Sequence, residues 1–387
     1  MTDGFDFRAP TTVHFGAGRS CELLSLLPGR RWGMVSRPNI LQLTGIDRVL
    51  EGCRTAGISL AMLGSVSANP RCGEVQVLLD RARFEEIDGV LAVGGGSVID
   101  AAKLLRVAYC YGTSTREALL GLDEIVRGPA RSACYLLVVP TTAGTGAEVS
   151  QGAIITDEKD GRKLAARGRT LIPDEAIIDP ELTLSLPSRR TAETGFDVMA
   201  HAVETYLSRA ANPVTDILAL AALRVVPSAL VRAVEDGSDR QARTQLALYS
   251  WLIGYNLAHA STCLPHRMQY AIGWLTDTSH QLGLAALYPA WLRVVAARAG
   301  DRAATVDEQV RASLRQAGMD VSKASTLGDL FECLLARIGL RVTLRDLGIE
   351  RSDIGRLSAA VDGRIDLDPV QPTKADIHRL FEESLGP

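Results

Sequence analysis

Two apolar patterns divide this chain. In its first half, short apolar runs recur between polar stretches: TVHFG at 12–16, WGMVS at 32–36, ISLAML at 58–63, GVLAV at 89–93 and CYLLVVP at 134–140. Runs this short, bounded by Gly and Pro, read as strands buried on both faces. Helical spacing fills the gaps: from Arg37-Pro38 to about Gly57, after Asn69-Pro70, and from the glycines of GGGSVIDAAKLL. Strand–helix alternation predicts a parallel α/β sheet. The stretch 171–195 reads as a proline-punctuated linker holding one short strand, AIID. Beyond Pro187 the spacing is helical almost to the end, predicting helices at 188–209, 213–234, 240–260, 263–273, 281–298, 303–317, 325–337, 350–360 and 374–385. The expected architecture is an α/β domain over 1–186 and an all-α domain over 187–387, with no internal repeat or low-complexity tract.

Composition narrows the function classes. With 47% hydrophobic and 22% charged residues the chain can fill a sizeable core. A net charge of -3 gives no electrostatic reason to expect nucleic acid or an anionic membrane as partner. No apolar run approaches the roughly 20 residues of a bilayer span, so no membrane segment is expected. The start, MTDGFDFRAP, lacks a basic region followed by an apolar core. Seven cysteines, at 21, 53, 72, 110, 134, 263 and 333, form no CxxC pair and read as reduced thiols. A cytoplasmic protein is therefore expected. Lysine is confined to positions 103, 159, 163, 323 and 374, which draws notice to Lys103 and Lys163.

Four features carry candidate chemistry. Gly94, Gly95, Gly96 and Ser97 follow a buried strand and open a helix, so bare backbone N–H groups and a helix N-terminus could meet a phosphate. Thr141, Thr142, Ala143, Gly144, Thr145 and Gly146 follow the next strand and add hydroxyls near the same sheet edge. Either turn could be a tight connection without a ligand; together they favour a dinucleotide, although neither the G-x-G-x-x-G nor the Walker A pattern is present. After the second strand stands Arg37, where an acid would bond the ribose 2′-hydroxyl of NAD; a cation there favours the 2′-phosphate of NADP. Finally, Asp197 and His201 are four apart in a helical pattern and so share a face, and His266 and His280 follow. One carboxylate with three imidazoles suits Fe(II) or Zn(II); a surface Asp–His pair and two unrelated histidines fit the spacing equally.

GGGSVIDAAK (94–103), PTTAGTGAEVS (140–150), AIIDPELTLSLPSRRTAETGFDVMAHAVETYLS (176–208) and ANPVTD (211–216) together resemble the iron-containing (group III) alcohol dehydrogenases. The resemblance runs from VHFGAG to QPTKADIHRLFEESL. It implies a Rossmann-like dinucleotide domain, an all-helical domain, and a dehydroquinate synthase-like fold with metal and nicotinamide in the cleft between them. It puts the metal ligands at Asp197, His201, His266 and His280: His266 lies twelve residues after Gly254, and His280 ten after Tyr270. It implies Fe(2+) or Zn(2+), NADP(H) or NAD(H), an aldehyde or primary alcohol as substrate, and a homodimer. Gly94 to Ser97 would hold the diphosphate; Arg37, Asn69, Thr141, Thr142, Thr145 and Lys163 would line the nucleotide; Asp100 would lie toward the nicotinamide.

Departures from the family pattern are equally specific. Tyr270 stands where the family has a second histidine associated with proton relay; a phenol is the weaker base but a competent donor. The fourth ligand's PHG turn is Ser279-His280-Gln281, GTGSE is GTGAE with Ala147, and His259 is extra. The expected activity is reduction of a small aldehyde, with a polar or phosphonate aldehyde suggested by Arg267 beside a ligand. A maleylacetate-reductase-like enzyme, or a catalytically altered paralogue, is the alternative.

Overall fold

The computed structural model describes residues 4–27, 29, 31–42 and 46–386, without the side chains of 41, 47 and 48. The chain forms two compact units, Arg8–Ser185 and Leu186–Pro387, the second also taking in Met1–Phe7. Phe7 belongs with the helices because its ring stacks on His259 at 4.2 Å.

In the first unit six strands, β1 (Thr12–Phe15), β2 (Arg31–Ser36), β3 (Ser59–Ser65), β4 (Gly89–Gly94), β5 (Tyr135–Pro140) and β8 (Glu175–Ile178), form one all-parallel sheet in the order β1-β8-β5-β4-β2-β3. The central strands β4 and β5 are almost wholly buried, as unbroken apolar runs require. Their connections carry α1 (Ile46–Thr55), α2 (Cys72–Glu85), α3 (Gly96–Tyr111), α4 (Thr115–Leu120) and α5 (Leu122–Ile125). The single helix expected between 38 and 57 is a short 3-10 turn, Ile40–Gln42, and then α1; 43–45 fall outside the described residues.

One part of this unit went unforeseen. β6 (Gly152–Asp157) and β7 (Arg162–Arg167) form a separate antiparallel hairpin. A buried face of α3 holds it: Lys103 Nζ donates to the carbonyls of Ser150 (3.0 Å) and Gly152 (2.8 Å), and Asp100 accepts from the Ile154 amide at 2.9 Å. Burial pulls the Lys103 pKa down to about 8 and pushes Asp100 up, each opposed by the other at 3.8 Å.

The second unit is helical: α6 (Ser188–Leu207), α7 (Pro213–Glu235), α8 (Arg240–His259), α9 (Leu264–Thr276), α10 (His280–Arg298), α11 (Gly300–Gln316), α12 (Leu327–Arg337), α13 (Ile354–Ala360) and α14 (Lys374–Ser384). α7 is long and apolar enough to cross a membrane by length and composition. Asp216, Arg224 and Arg232 interrupt its apolar positions, so no unbroken run stands out. Half of its apolar window is buried, and it packs against α6, α8 and α11 as a core helix does.

Candidate metal centre and nucleotide turns

α6 carries Asp197, His201 and Glu204 at i, i+4 and i+7, one stripe of the helix. All three are buried: 1%, 6% and 0% exposed. The start of α9 is set by two carboxylates. Glu204 accepts the Cys263 amide at 2.7 Å, Asp368 accepts the Leu264 amide at 2.9 Å, and Pro265 has no amide hydrogen to satisfy. This anchoring fixes His266 in the first turn of α9. α10 starts at His280 behind the Ser279 N-cap, and Tyr288 ties α10 to α6 by donating to the Ala200 carbonyl at 2.9 Å.

The four predicted ligands therefore converge. Asp197 Oδ1 lies 3.6 Å from His201 Nε2, 3.7 Å from His266 Nε2 and 3.8 Å from His280 Nε2. Ligands about 2.1 Å from a tetrahedral ion stand about 3.4 Å apart, so the spacing fits a cation better than direct hydrogen bonds. Asp197 Oδ1 and His266 Nε2 are buried without a hydrogen-bond partner. Such orphans are costly unless something compensates them, and a divalent ion at this point would compensate both. Among the described residues, Asp197, His201 and His266 form the group whose ligand atoms all lie within 4.8 Å of one another; His280 falls outside it and approaches through Asp197.

An outer layer orients these ligands. His266 Nδ1 donates to Glu204 Oε1 at 2.7 Å, and His280 Nδ1 donates to the Gln269 side-chain oxygen. Each bond selects the tautomer whose Nε2 lone pair faces Asp197. Gln281 Nε2 donates to the other Asp197 oxygen at 3.2 Å. Burial opposes charge on His266, but Glu204 and Asp197 raise its pKa to about 10. Burial also opposes charge on Asp197, yet the three imidazoles hold its carboxyl far below the usual range. The sequence reading missed Glu204, Gln269 and Gln281. The first was detectable as a carboxylate seven residues past Asp197, and the second as an amide one turn past His266. Tyr270 is half-buried, with its ring 6.2 Å from that of His280.

The nucleotide candidates lie in the first unit. β4 and β5 are hydrogen-bonded neighbours, with Gly94 opposite Pro140, so both glycine turns leave the sheet side by side. Thr141 N donates to Gly94 O at 2.9 Å. A Cβ on Gly96 would fall 2.7 Å from Thr145 Cγ2, and one on Gly95 3.1 Å from Thr142 Oγ1. The glycines are thus required by the threonines of the second turn. No side chain caps α3. Ser97 Oγ donates to Ala68 O at 2.5 Å, and Lys163, on β7, donates to Asn69 Oδ1 at 2.9 Å. Arg37 follows β2, the other neighbour of β4, and its Nε is buried with no partner. Asp100 is partly engaged, since one of its oxygens holds β6.

Comparison with known proteins agrees with this arrangement. Residues 10–180 match the iron-containing alcohol dehydrogenase family, and residues 191–385 match the Fe-containing alcohol dehydrogenase family, C-terminal. The chain is 34% identical over 376 residues to a 4-hydroxybutyrate dehydrogenase of Cupriavidus necator, covering 94% of each. It is 30% identical over 396 residues to a 1,3-propanediol dehydrogenase of Klebsiella pneumoniae, covering 98% of each. A solved 1,3-propanediol oxidoreductase superimposes with a TM-score of 0.84 at 29% identity, over 99% of this chain and 100% of that one. The parallel sheet with its glycine turns, the helical unit with its buried Asp–His cluster and these matches along the chain establish that it belongs to the iron-containing alcohol dehydrogenase family of oxidoreductases.

Proposed function

We propose that the protein reduces a small aldehyde to its primary alcohol at the expense of NADPH or NADH. In this reading Asp197, His201, His266 and His280 hold iron or zinc. The observation that carries it is the orphaned Asp197 Oδ1, buried within 3.6–3.8 Å of three imidazole nitrogens. The metal, when bound, polarises the carbonyl as a Lewis acid, and the dihydronicotinamide supplies the hydride. The chain's own residues do the rest. Glu204 and Gln269 keep the imidazole lone pairs inward, and Gln281 steadies Asp197. Gly94–Ser97 and the threonine turn cradle the diphosphate, and Arg37 meets the adenosine ribose, favouring a 2′-phosphate there. The alcohol oxygen needs a proton, which the Tyr270 phenol can donate.

The names of the relatives support small, terminally oxygenated substrates: one is a hydroxy acid dehydrogenase and another a diol dehydrogenase. The test pairs metal analysis of the purified protein with oxidation of NADPH and NADH over a panel of short aldehydes. Stoichiometric iron or zinc, lost in Asp197→Ala, together with aldehyde-dependent oxidation, is expected. Tyr270 motivates a second reading, a catalytically altered member of the family. Bound metal and bound NADPH with no turnover of any aldehyde would favour it.

A further inference from the structure

Arg267 follows His266 on α9 and is 3% exposed. Its surroundings differ from those of the other buried arginines. Arg106 has a carboxylate, Asp174, and two carbonyls. Arg243 uses Nε, Nη1 and Nη2 on two carbonyls and the Thr191 hydroxyl. The recorded hydrogen bonds of Arg267 all come from Nη2, to Ser261 Oγ (3.1 Å), Thr262 Oγ1 (3.0 Å) and Thr262 O (3.5 Å). Its Nε is buried without a partner. Among the described residues no carboxylate forms an ion pair with it.

A buried cation whose hydrogen bonds go only to neutral oxygens is costly, and the cost falls when an anion joins it. The position of Arg267 suggests which anion. Its guanidinium carbon lies 5.6 Å from the centroid of the Tyr270 ring, and that ring stacks on His280. The guanidinium is thus next to the side chains that surround the metal cluster. Gly363, at φ +95°, passes over its stem, where a Cβ would come within 3.4 Å of Cδ.

We propose that Arg267 binds an anionic group of the substrate, and that the preferred substrate is a short aldehyde ending in a carboxylate, sulfonate or phosphonate. The planar guanidinium offers donors that match such oxyanions, and charge-assisted bonds to them are strong. The proposal rests on the aldehyde-reductase reading given above. It adds that the far end of the substrate, as well as its carbonyl, is recognised.

The test compares 4-oxobutanoate with butanal, matched in chain length, and adds sulfoacetaldehyde and phosphonoacetaldehyde to rank the three anions. Wild-type enzyme should favour 4-oxobutanoate in kcat/KM. In Arg267→Met the ratio of the two kcat/KM values should fall about 10- to 100-fold, the loss of one charge-assisted contact, mainly through KM. Arg267→Lys should retain part of the preference. Metal content and the melting temperature, read on the same samples, identify a variant that has merely lost its fold. In that case the wild-type ratio and the competition of succinate against butanal carry the test. A wild-type preference for butanal, or an unchanged ratio in a folded Arg267→Met, overturns the anion assignment alone. No turnover of any of these aldehydes by the metal-loaded wild type overturns the reductase reading and this proposal with it.

Discussion

Glu204 lies at the junction of two tasks: one oxygen accepts a hydrogen bond from His266 Nδ1 and the other from the amide of Cys263, the N-cap of α9. Its replacement by Gln keeps the shape but removes the charge that orients and polarises the imidazole. Outer partners of this kind change metal affinity by about 10- to 100-fold. Glu204→Gln should therefore lose metal to a chelator at 10- to 100-fold lower competitor concentration while remaining folded. Retention equal to wild type would refute the positioning role. Tyr270→Phe makes the opposite separation: turnover should slow while metal content stays intact, and unchanged turnover would remove Tyr270 from proton delivery. Both residues illustrate what the sequence could and could not convey. The four ligand types and their helical spacing were visible in it. Glu204 and the two glutamines were not singled out, because an acid or amide on a helix gains its meaning only from the ring nitrogen it meets.

Helices and buried strands were legible where one physical signal dominates. α7 and α8 were expected at 213–234 and 240–260 and run Pro213–Glu235 and Arg240–His259, because Asn212 and Asp239 cap them with side-chain oxygens. The β6–β7 hairpin was not foreseen. β7 is partly polar and half-buried, and the pair stays outside the main sheet. What holds it is the Asp100–Lys103 face of α3, whose charged side chains bond the hairpin's backbone, a contact that apolar patterning cannot express. The hairpin carries Lys163, so its position bears on the nucleotide site. Lys103→Met should leave Asp100 buried without its cation and lower stability by about 3 kcal/mol, measured by urea unfolding. Cofactor affinity should fall as well, and hydrogen exchange should accelerate in Gly152–Arg167. Removing both charges, in Asp100→Asn with Lys103→Met, should recover part of the stability; a double variant worse than the sum of the single ones would contradict this account of the hairpin.

At the scale of the molecule, a metal bound as proposed would tie together parts of the helical unit that are distant along the chain: α6 would contribute two ligands, and the starts of α9 and α10 one each. A ligand bound only to the folded state stabilises it by about 2.7 kcal/mol at a hundredfold excess over Kd. Added Fe(II) or Zn(II) should therefore raise the melting temperature of the helical unit, and EDTA should reverse the rise. Protons compete for the same atoms. Glu204 and Asp197 raise His266 to about 10, above the ordinary imidazole value of about 6.5. Without a cation, the stability this proton contributes is full below the unfolded value and is lost as pH rises through about 10. A cation at Nε2 must displace that proton, so its own binding strengthens with rising pH, by up to about 1.4 kcal/mol per unit for one proton. The metal-induced rise in melting temperature should accordingly be larger at pH 8 than at pH 6, and the proton released should register as a buffer-dependent heat in titration calorimetry. A rise equal at the two values, with no buffer dependence, would mean that His266 does not give up a proton to the metal. Glu204→Gln removes the stronger of the two raising influences, so in that variant the pH dependence should flatten at a lower pH than in the wild type.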